Sequence, residues 1–111
     1  MKFASCLILL LWVTPAFANA HLVRSTPANG ASVRSPAHIL LRFSEALEPA
    51  FSGALLLDEA GHNLTGDPVK VDGTAMRLSP EKLAPGTYVV SWQARGHEGH
   101  TTSGHFHFTV R

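Results

Sequence analysis

The stretch that decides the fold is residues 87–95, which read TYVVSWQAR. Apolar and polar side chains alternate along it with a period of two, which places successive side chains on opposite faces of a β-strand. The face that we expect to be buried carries Tyr88, Val90, Trp92 and Ala94. Such a face needs a second layer to cover it, so the pattern indicates a packed β-structure.

The end of the chain, residues 104–111, repeats this alternation. Three apolar side chains share one face and three polar ones share the other: Phe106, Phe108 and Val110 against His105, His107 and Thr109. The period of two predicts that the aromatic set points inward. With Phe43 and Trp92, these two phenylalanines form the predicted centre of the core, since each buried large apolar side chain contributes ~1.5–3 kcal/mol.

Shorter apolar stretches precede these two strands and are separated by turn residues such as Asn29-Gly30 and Asp72-Gly73. Five further strands are predicted at residues 22–25, 38–43, 53–57, 69–71 and 75–78. Short strands at this spacing are typical of an antiparallel β-sandwich. We therefore predict an all-β, immunoglobulin-like sandwich of about seven strands.

The composition excludes several classes of function. A chain of 111 residues, 45% of them hydrophobic, supports one small domain but not a TIM barrel. Nine Lys and Arg stand against eight Asp and Glu, so no basic excess supports binding to nucleic acid. The ample hydrophobicity and small net charge also exclude a disordered chain.

Residues 1–20, MKFASCLILLLWVTPAFANA, have the pattern of a secretory signal peptide. Lys2 supplies the positive start, an apolar run extends from Phe3 to Val13, and residues 18–20 form a small-x-small cleavage site. The run is shorter than the ~20 apolar residues that a membrane span needs. We predict an exported protein that is not inserted in the membrane. Its mature domain, residues 21–111, begins at His21 and has no cysteine, since Cys6 leaves with the signal.

A mature chain that begins at His21 carries an α-amine and an imidazole on one residue, and these nitrogens can chelate a metal ion together. Glu98 and His100 are two residues apart and would point to the same side of an extended segment. A tetragonal set of nitrogen and oxygen donors suits Cu(II), which also leads the affinity order of divalent metals. The sequence therefore predicts a Cu(II) site formed by His21, Glu98 and His100, with one ion per mature chain.

The other histidines have less direct interpretations. His97 lies beside the predicted ligands and is open between a supporting role and exposure to solvent. His105 and His107 are expected to be exposed strand residues, although their i, i+2 spacing would also fit an accessory site. His38 and His62 are interpreted as structural or surface residues.

Short segments spread over the mature chain carry a family resemblance. The chain opens with His21-Leu22-Val23, followed by STPANG at residues 25–30. Further on come LRFSE (41–45), EPAFSG (48–53), LAPGTY (83–88), VSW (90–92), GHTTSG (99–104) and FHFTV (106–110). In their order and spacing, these segments resemble the CopC family of periplasmic copper-binding proteins.

The resemblance implies a Greek-key β-sandwich and a Cu(II) site formed by an N-terminal histidine, an aspartate and the histidine of a D-G-H segment. His21 and His100 match the two histidines, and Glu98 stands where the family has the aspartate, with one more methylene. Some members also carry a methionine-rich Cu(I) site. Met76 alone cannot form one, so a Cu(II)-only form is expected. The resemblance further implies a role in copper resistance or uptake and a CopD-type inner-membrane permease as partner.

These features predict a periplasmic Cu(II) carrier or buffer in copper homeostasis, without catalytic activity. Two alternatives stay open on the sequence alone. An N-terminal histidine chelate also resembles the histidine brace of copper polysaccharide monooxygenases, which are oxidative enzymes on a larger sandwich. A metal-free structural or interaction module would use the same immunoglobulin-like shape without copper.

Overall fold

The computed structural model describes residues 19–111, which form eight β-strands and a short 3-10 helix at Pro49–Phe51. The predicted signal peptide lies outside the described residues except for its last two positions. No helix in the part that is described is long and apolar enough to cross a membrane. The strands are β1 (Leu22–Thr26), β2 (Ser32–Val33), β3 (Ile39–Phe43), β4 (Gly53–Asp58), β5 (Lys70–Asp72), β6 (Ala75–Leu78), β7 (Gly86–Arg95) and β8 (Thr101–Val110).

The strands form two four-stranded sheets that pack face to face as a β-sandwich. One sheet has the order β1-β3-β6-β5 and the other has the order β2-β8-β7-β4. The pairing is antiparallel except between β2 and β8. β7 and β8, of ten residues each, pair over their entire length from Gly86 opposite Val110 to Arg95 opposite Thr101. This long hairpin is the centre of the second sheet.

The core lies between the sheets and has the composition that the alternation predicts. Phe43 and Phe106 are 3% exposed and Phe108 is fully buried, which confirms three members of the predicted centre. Trp92 also packs against the core, edge-on to Phe43 at 5.1 Å between ring centroids, but it is only half-buried. The indole lies over Gly104, so no large side chain of β8 covers it from that side.

The predicted all-β sandwich is confirmed, and each of the seven predicted strands is present with small shifts at its ends. Two features differ from the prediction. β8 begins at Thr101 and not at Gly104, because pairing with β7 extends the strand through the polar residues 101–103. β2 is an additional strand of two residues, too short to show any alternation, and it exists through its parallel pairing with the end of β8.

Candidate metal centre

The segment that carries His21 is held between the two sheets at the start of β1. The His21 N–H donates to Ser44 Oγ at 3.0 Å, and the Ser44 N–H donates to the His21 carbonyl at 2.9 Å. On the other side, the Thr102 hydroxyl donates to the carbonyl of Ala20, whose side chain is fully buried. Residues 20 and 21 are therefore fixed between the end of β3 and the start of β8.

These contacts bring the segment of His21 to the segment of His100. His100 directly precedes β8, and Thr102 is the second residue of that strand. The hydrogen bond from Thr102 to Ala20 joins positions 82 residues apart. Both histidine side chains are exposed, and the Nδ1 atom of His21 lies 3.3 Å from the carbonyl of Asn19.

Glu98 lies in the tight turn that connects β7 with β8. The Gly99 N–H donates to the Gly96 carbonyl at 3.1 Å, and Gly99 has a φ of +83°, which glycine adopts without steric cost. The segment from Glu98 to His100 is not extended, as the expectation for these two side chains assumed, because the chain turns at Gly99 between them. His97 and Glu98 are both exposed on this turn.

Arg95, the last residue of β7, anchors the base of this turn. Its guanidinium lies 4.4 Å above the ring centroid of Phe51, and its Nε atom is 3.7 Å from the carboxylate of Glu48. The Arg95 N–H donates to Ser52 Oγ at 3.0 Å, and the Glu48 N–H donates to the Arg95 carbonyl at 2.8 Å. These contacts fix the end of β7, from which the turn begins, and a binding site needs such a rigid support.

A carboxylate that the sequence analysis did not single out, that of Glu45, rests against the same turn. A Cβ atom placed on Gly96 would come 1.6 Å from Glu45 Oε1, so the carboxylate lies directly on the Gly96 backbone. Within residues 19–111, no hydrogen bond or ion pair engages it. Glu45 comes just after β3, and antiparallel pairing puts the end of β3 beside the start of β1. A sequence analysis that paired these two strands could therefore have placed Glu45 near His21.

The ligand set itself is not assembled by side chains alone. In the described chain, no group of three or more His, Cys, Asp and Glu residues is gathered in an arrangement that could hold a metal ion. The predicted set relies on the main-chain nitrogen of His21, which is a peptide nitrogen while Ala20 precedes it. The assignment of His21, Glu98 and His100 as ligands therefore stays a prediction.

Fold and site define a class of protein, a small β-sandwich with the segment of His21 fastened beside the start of β8, next to the turn of its longest hairpin. The CopC domain matches residues 22–111, and the chain belongs to the CopC family, as the sequence resemblance predicted. The chain is 35% identical to Protein YobA of Escherichia coli strain K12, over 100% of this chain and 94% of that protein. It is 38% identical to copper resistance protein C of Pseudomonas syringae pv. tomato, over 86% and 85% of the two chains.

A solved structure agrees with this assignment. The fold is similar to that of PcoC from Escherichia coli, described as a methionine-rich copper resistance protein, with a TM-score of 0.75 and 34% identity. The match covers 85% of this chain and 100% of the PcoC chain. The chain therefore shares its sandwich architecture with that structure.

Proposed function

We propose that this chain is a periplasmic Cu(II)-binding protein that carries or buffers copper in copper homeostasis and resistance. The observation that carries the proposal is the position of His21 beside Thr102 at the start of β8, shown by the contact of the Thr102 hydroxyl with the carbonyl just before His21. After cleavage, the two hydrogen bonds with Ser44 and the pairing of β1 with β3 hold His21 in that position. Membership of the CopC family supports copper as the metal, as do the copper resistance proteins among its relatives.

In this proposal, His21 provides two nitrogen ligands and His100 provides a third. Cleavage after Ala20 converts the His21 peptide nitrogen into an amine, which is a ligand once it has lost its extra proton. The amine still has an N–H that can donate to Ser44 Oγ, which lies 3.0 Å from this nitrogen in the uncleaved chain. Removal of Ala20 opens a buried position beside Thr102. Glu98 provides the oxygen ligand, and Glu45 is a second carboxylate at the same end of the sandwich.

This donor set favours Cu(II) and makes its binding sensitive to acid. Three nitrogens and a carboxylate oxygen suit a tetragonal ion. Each nitrogen must be deprotonated to bind, and the reference pKa values are ~7.7–8.0 for an α-amine and ~6.5 for histidine. We expect the affinity to fall below about pH 6. The one methionine of the mature chain, Met76, is fully buried in the core, which supports a Cu(II)-only form.

We propose no catalytic role for the bound copper. Tyr88 is 5% exposed, with its hydroxyl bonded to the Ala84 carbonyl at 2.6 Å, and Trp92 packs inward against Phe43. Buried Tyr88 is not available for the broad substrate face that an oxidative polysaccharide enzyme presents, and half-buried Trp92 directs its ring toward the core. Copper-loaded protein given a reductant should therefore produce no more peroxide than the same amount of free copper, and polysaccharide cleavage would contradict this.

We also propose a periplasmic location and a CopD-type inner-membrane permease as the partner that receives or supplies copper. The signal-like residues 1–20 support the location. The permease is implied only by the family resemblance. Co-purification of the copper-loaded chain with such a permease is the test, and failure to co-purify under conditions that preserve copper binding would remove this partner.

Fluorescence of Trp92, the one tryptophan of the mature chain, provides the test of the proposed site. Titration with Cu(II) should quench it with one tight equivalent in a chain that begins at His21. His100→Ala should weaken this binding by more than about tenfold, the low end of the loss seen even for residues that only support metal ligands. His62→Ala, which removes a histidine bonded to Asp58 instead, is the matched control. A His100→Ala titration identical to the native one would contradict the site.

A further inference from the structure

β8 presents two histidines on the outer face of the second sheet, on the side opposite the core. His105 lies directly opposite Ser91 of β7, and His107 lies directly opposite Val89. Phe106 between them is 3% exposed, whereas both histidines are exposed. Because side chains alternate along a strand, both imidazoles leave the sheet on the same face.

The two rings are available, while the backbone beneath them is fixed. No hydrogen bond or ion pair to either imidazole occurs within the described region of the chain. The His107 N–H donates to Asn29 Oδ1 at 3.2 Å, and the Gly30 N–H donates to the His107 carbonyl at 2.7 Å. In contrast, His62 lies 2.9 Å from Asp58 Oδ2.

The residues of β7 and β8 that neighbour the pair on this face are uncharged. The residues opposite are Ser91 and Val89, and the next residues of β8 on this face are Ser103 and Thr109. The diagonal positions of β7 add Thr87 and Gln93. None of these neighbours is a cation that would repel a bound metal ion.

We propose that His105 and His107 form a second metal site, which binds one divalent transition-metal ion through one nitrogen of each imidazole. Two residues of a strand span about 6.7 Å, a separation that two imidazoles can bridge to a shared ion. Imidazole suits Cu(II), Ni(II) and Zn(II), and Cu(II) binds most strongly of these. With two protein donors and water in the other positions, this site is weaker than the proposed site at His21 and fills after it.

The second site is separate from the first. His105 lies five positions beyond His100 along an extended strand, about 17 Å at ~3.4 Å per residue, so the two ions share no ligand. Binding by His105 and His107 needs no ligand of the proposed site at His21 and is expected whether or not that site binds copper. It gives the chain a surface position where copper is held loosely, in exchange with solution.

Copper titration of the His100→Ala chain, in which the proposed first site is disabled, tests this inference by calorimetry and electron paramagnetic resonance. We expect one equivalent of Cu(II) to bind with two nitrogen donors. Adding His105→Ala or His107→Ala should each abolish it, since a single imidazole is no chelate. Adding His38→Ala or His62→Ala should leave it unchanged, because each of those histidines stands alone and has its own polar partner.

The number of Cu(II) equivalents bound by each double variant is compared with the number bound by the His100→Ala chain, which is the parent. The difference between the two numbers does not depend on whether His100→Ala disables the first site. Because both histidines are exposed, the variants should fold, and His105→Gln provides a second variant that keeps a polar side chain. Circular dichroism confirms the folded state before titration. Loss of one equivalent with His105 and with His107 supports the site. No equivalent in the parent chain, or the same number of equivalents in both variants as in the parent chain, overturns it.

Discussion

Gly104 leaves space for the indole of Trp92 within the long hairpin. It pairs with Trp92 across the hairpin, and the indole occupies the space that a side chain at position 104 would fill. A Cβ atom there would lie 2.6 Å from Trp92 Cζ2, which no real packing tolerates. The absence of a side chain at this position therefore sets the place of Trp92 and its edge-on contact with Phe43.

We expect Gly104→Ala to lower the free energy of unfolding by about 1–3 kcal/mol, because the indole must leave its position. Gly53→Ala is the matched control, since Gly53 is also in a strand and its Cβ would meet nothing within 4 Å. The control should change stability by less than about 0.5 kcal/mol. Urea denaturation followed by circular dichroism measures both, and equal losses would show that Trp92 does not depend on this glycine.

Asp58 makes stability depend on pH. Its Oδ1 atom accepts the His62 N–H at 2.8 Å and the Ala60 N–H at 2.9 Å, and its Oδ2 atom lies 2.9 Å from the His62 ring. The hydrogen bond from the His62 N–H first, and then its ring, hold the pKa of Asp58 below its usual value of 3.8. The folded state thus binds this proton more weakly than the unfolded chain does.

A lowered pKa stabilises the fold above the ordinary pKa, and this contribution disappears as pH falls through the lowered value. Asp58→Asn should therefore melt at a lower temperature than the native chain at pH 7, where the native carboxylate is charged. The difference should narrow below about pH 4, as that carboxylate becomes protonated. Melting curves measured at descending pH test this, and a constant difference down to full protonation would rule out the charge as its cause.

At the scale of strands, the outer face of the first sheet places like charges opposite each other. Arg24 of β1 faces Arg42 of β3, and Lys70 of β5 faces Arg77 of β6. All four are exposed, and none of them forms an ion pair among residues 19–111. Like charges directly opposite in a sheet destabilise it.

Arg77→Gln should therefore raise the free energy of unfolding by about 0.2–1 kcal/mol at low salt, since it removes the repulsion from Lys70. The gain should shrink in high salt, where exposed charges are screened. Asp72→Asn, which removes the one acidic residue of this face in β5, is the control and should lower stability. Denaturation at two salt concentrations measures both variants, and a loss of stability in Arg77→Gln would show that repulsion is not the dominant effect.

The strands that sequence patterns predict are those whose side chains alternate between core and solvent. β7 is the clearest example, because Val90 and Ala94 are fully buried between more exposed neighbours. The pattern does not predict β2 or the first residues of β8, since Ser32 and Thr101 are in strands only through pairing with neighbours. Sequence spacing alone could not decide between an extended segment and a turn at Gly99, and the structure has the turn, with the positive φ that glycine adopts without steric cost.

At the scale of the whole molecule, the candidate centre exists because the sandwich closes. His21 and His100 lie far apart in the sequence. The hydrogen bonds of His21 with Ser44, and the contact of Thr102 with the carbonyl before His21, bring their segments together. Sequence spacing alone could predict donors but not this junction, and Glu45 could be found only through the pairing of β1 with β3. The pairing of β1 with β3 and the length of the β7–β8 hairpin determine which donors share this end.

The central claim is that the amine of His21 binds copper, and one comparison tests it most directly. Cu(II) is titrated, with electron paramagnetic resonance, into a chain that begins at His21 and into one that carries an additional N-terminal methionine. The first should bind one Cu(II) tightly in a tetragonal, nitrogen-rich site, and the second should lose that site because the His21 nitrogen remains a peptide. Equal tight binding by both chains would contradict the claim.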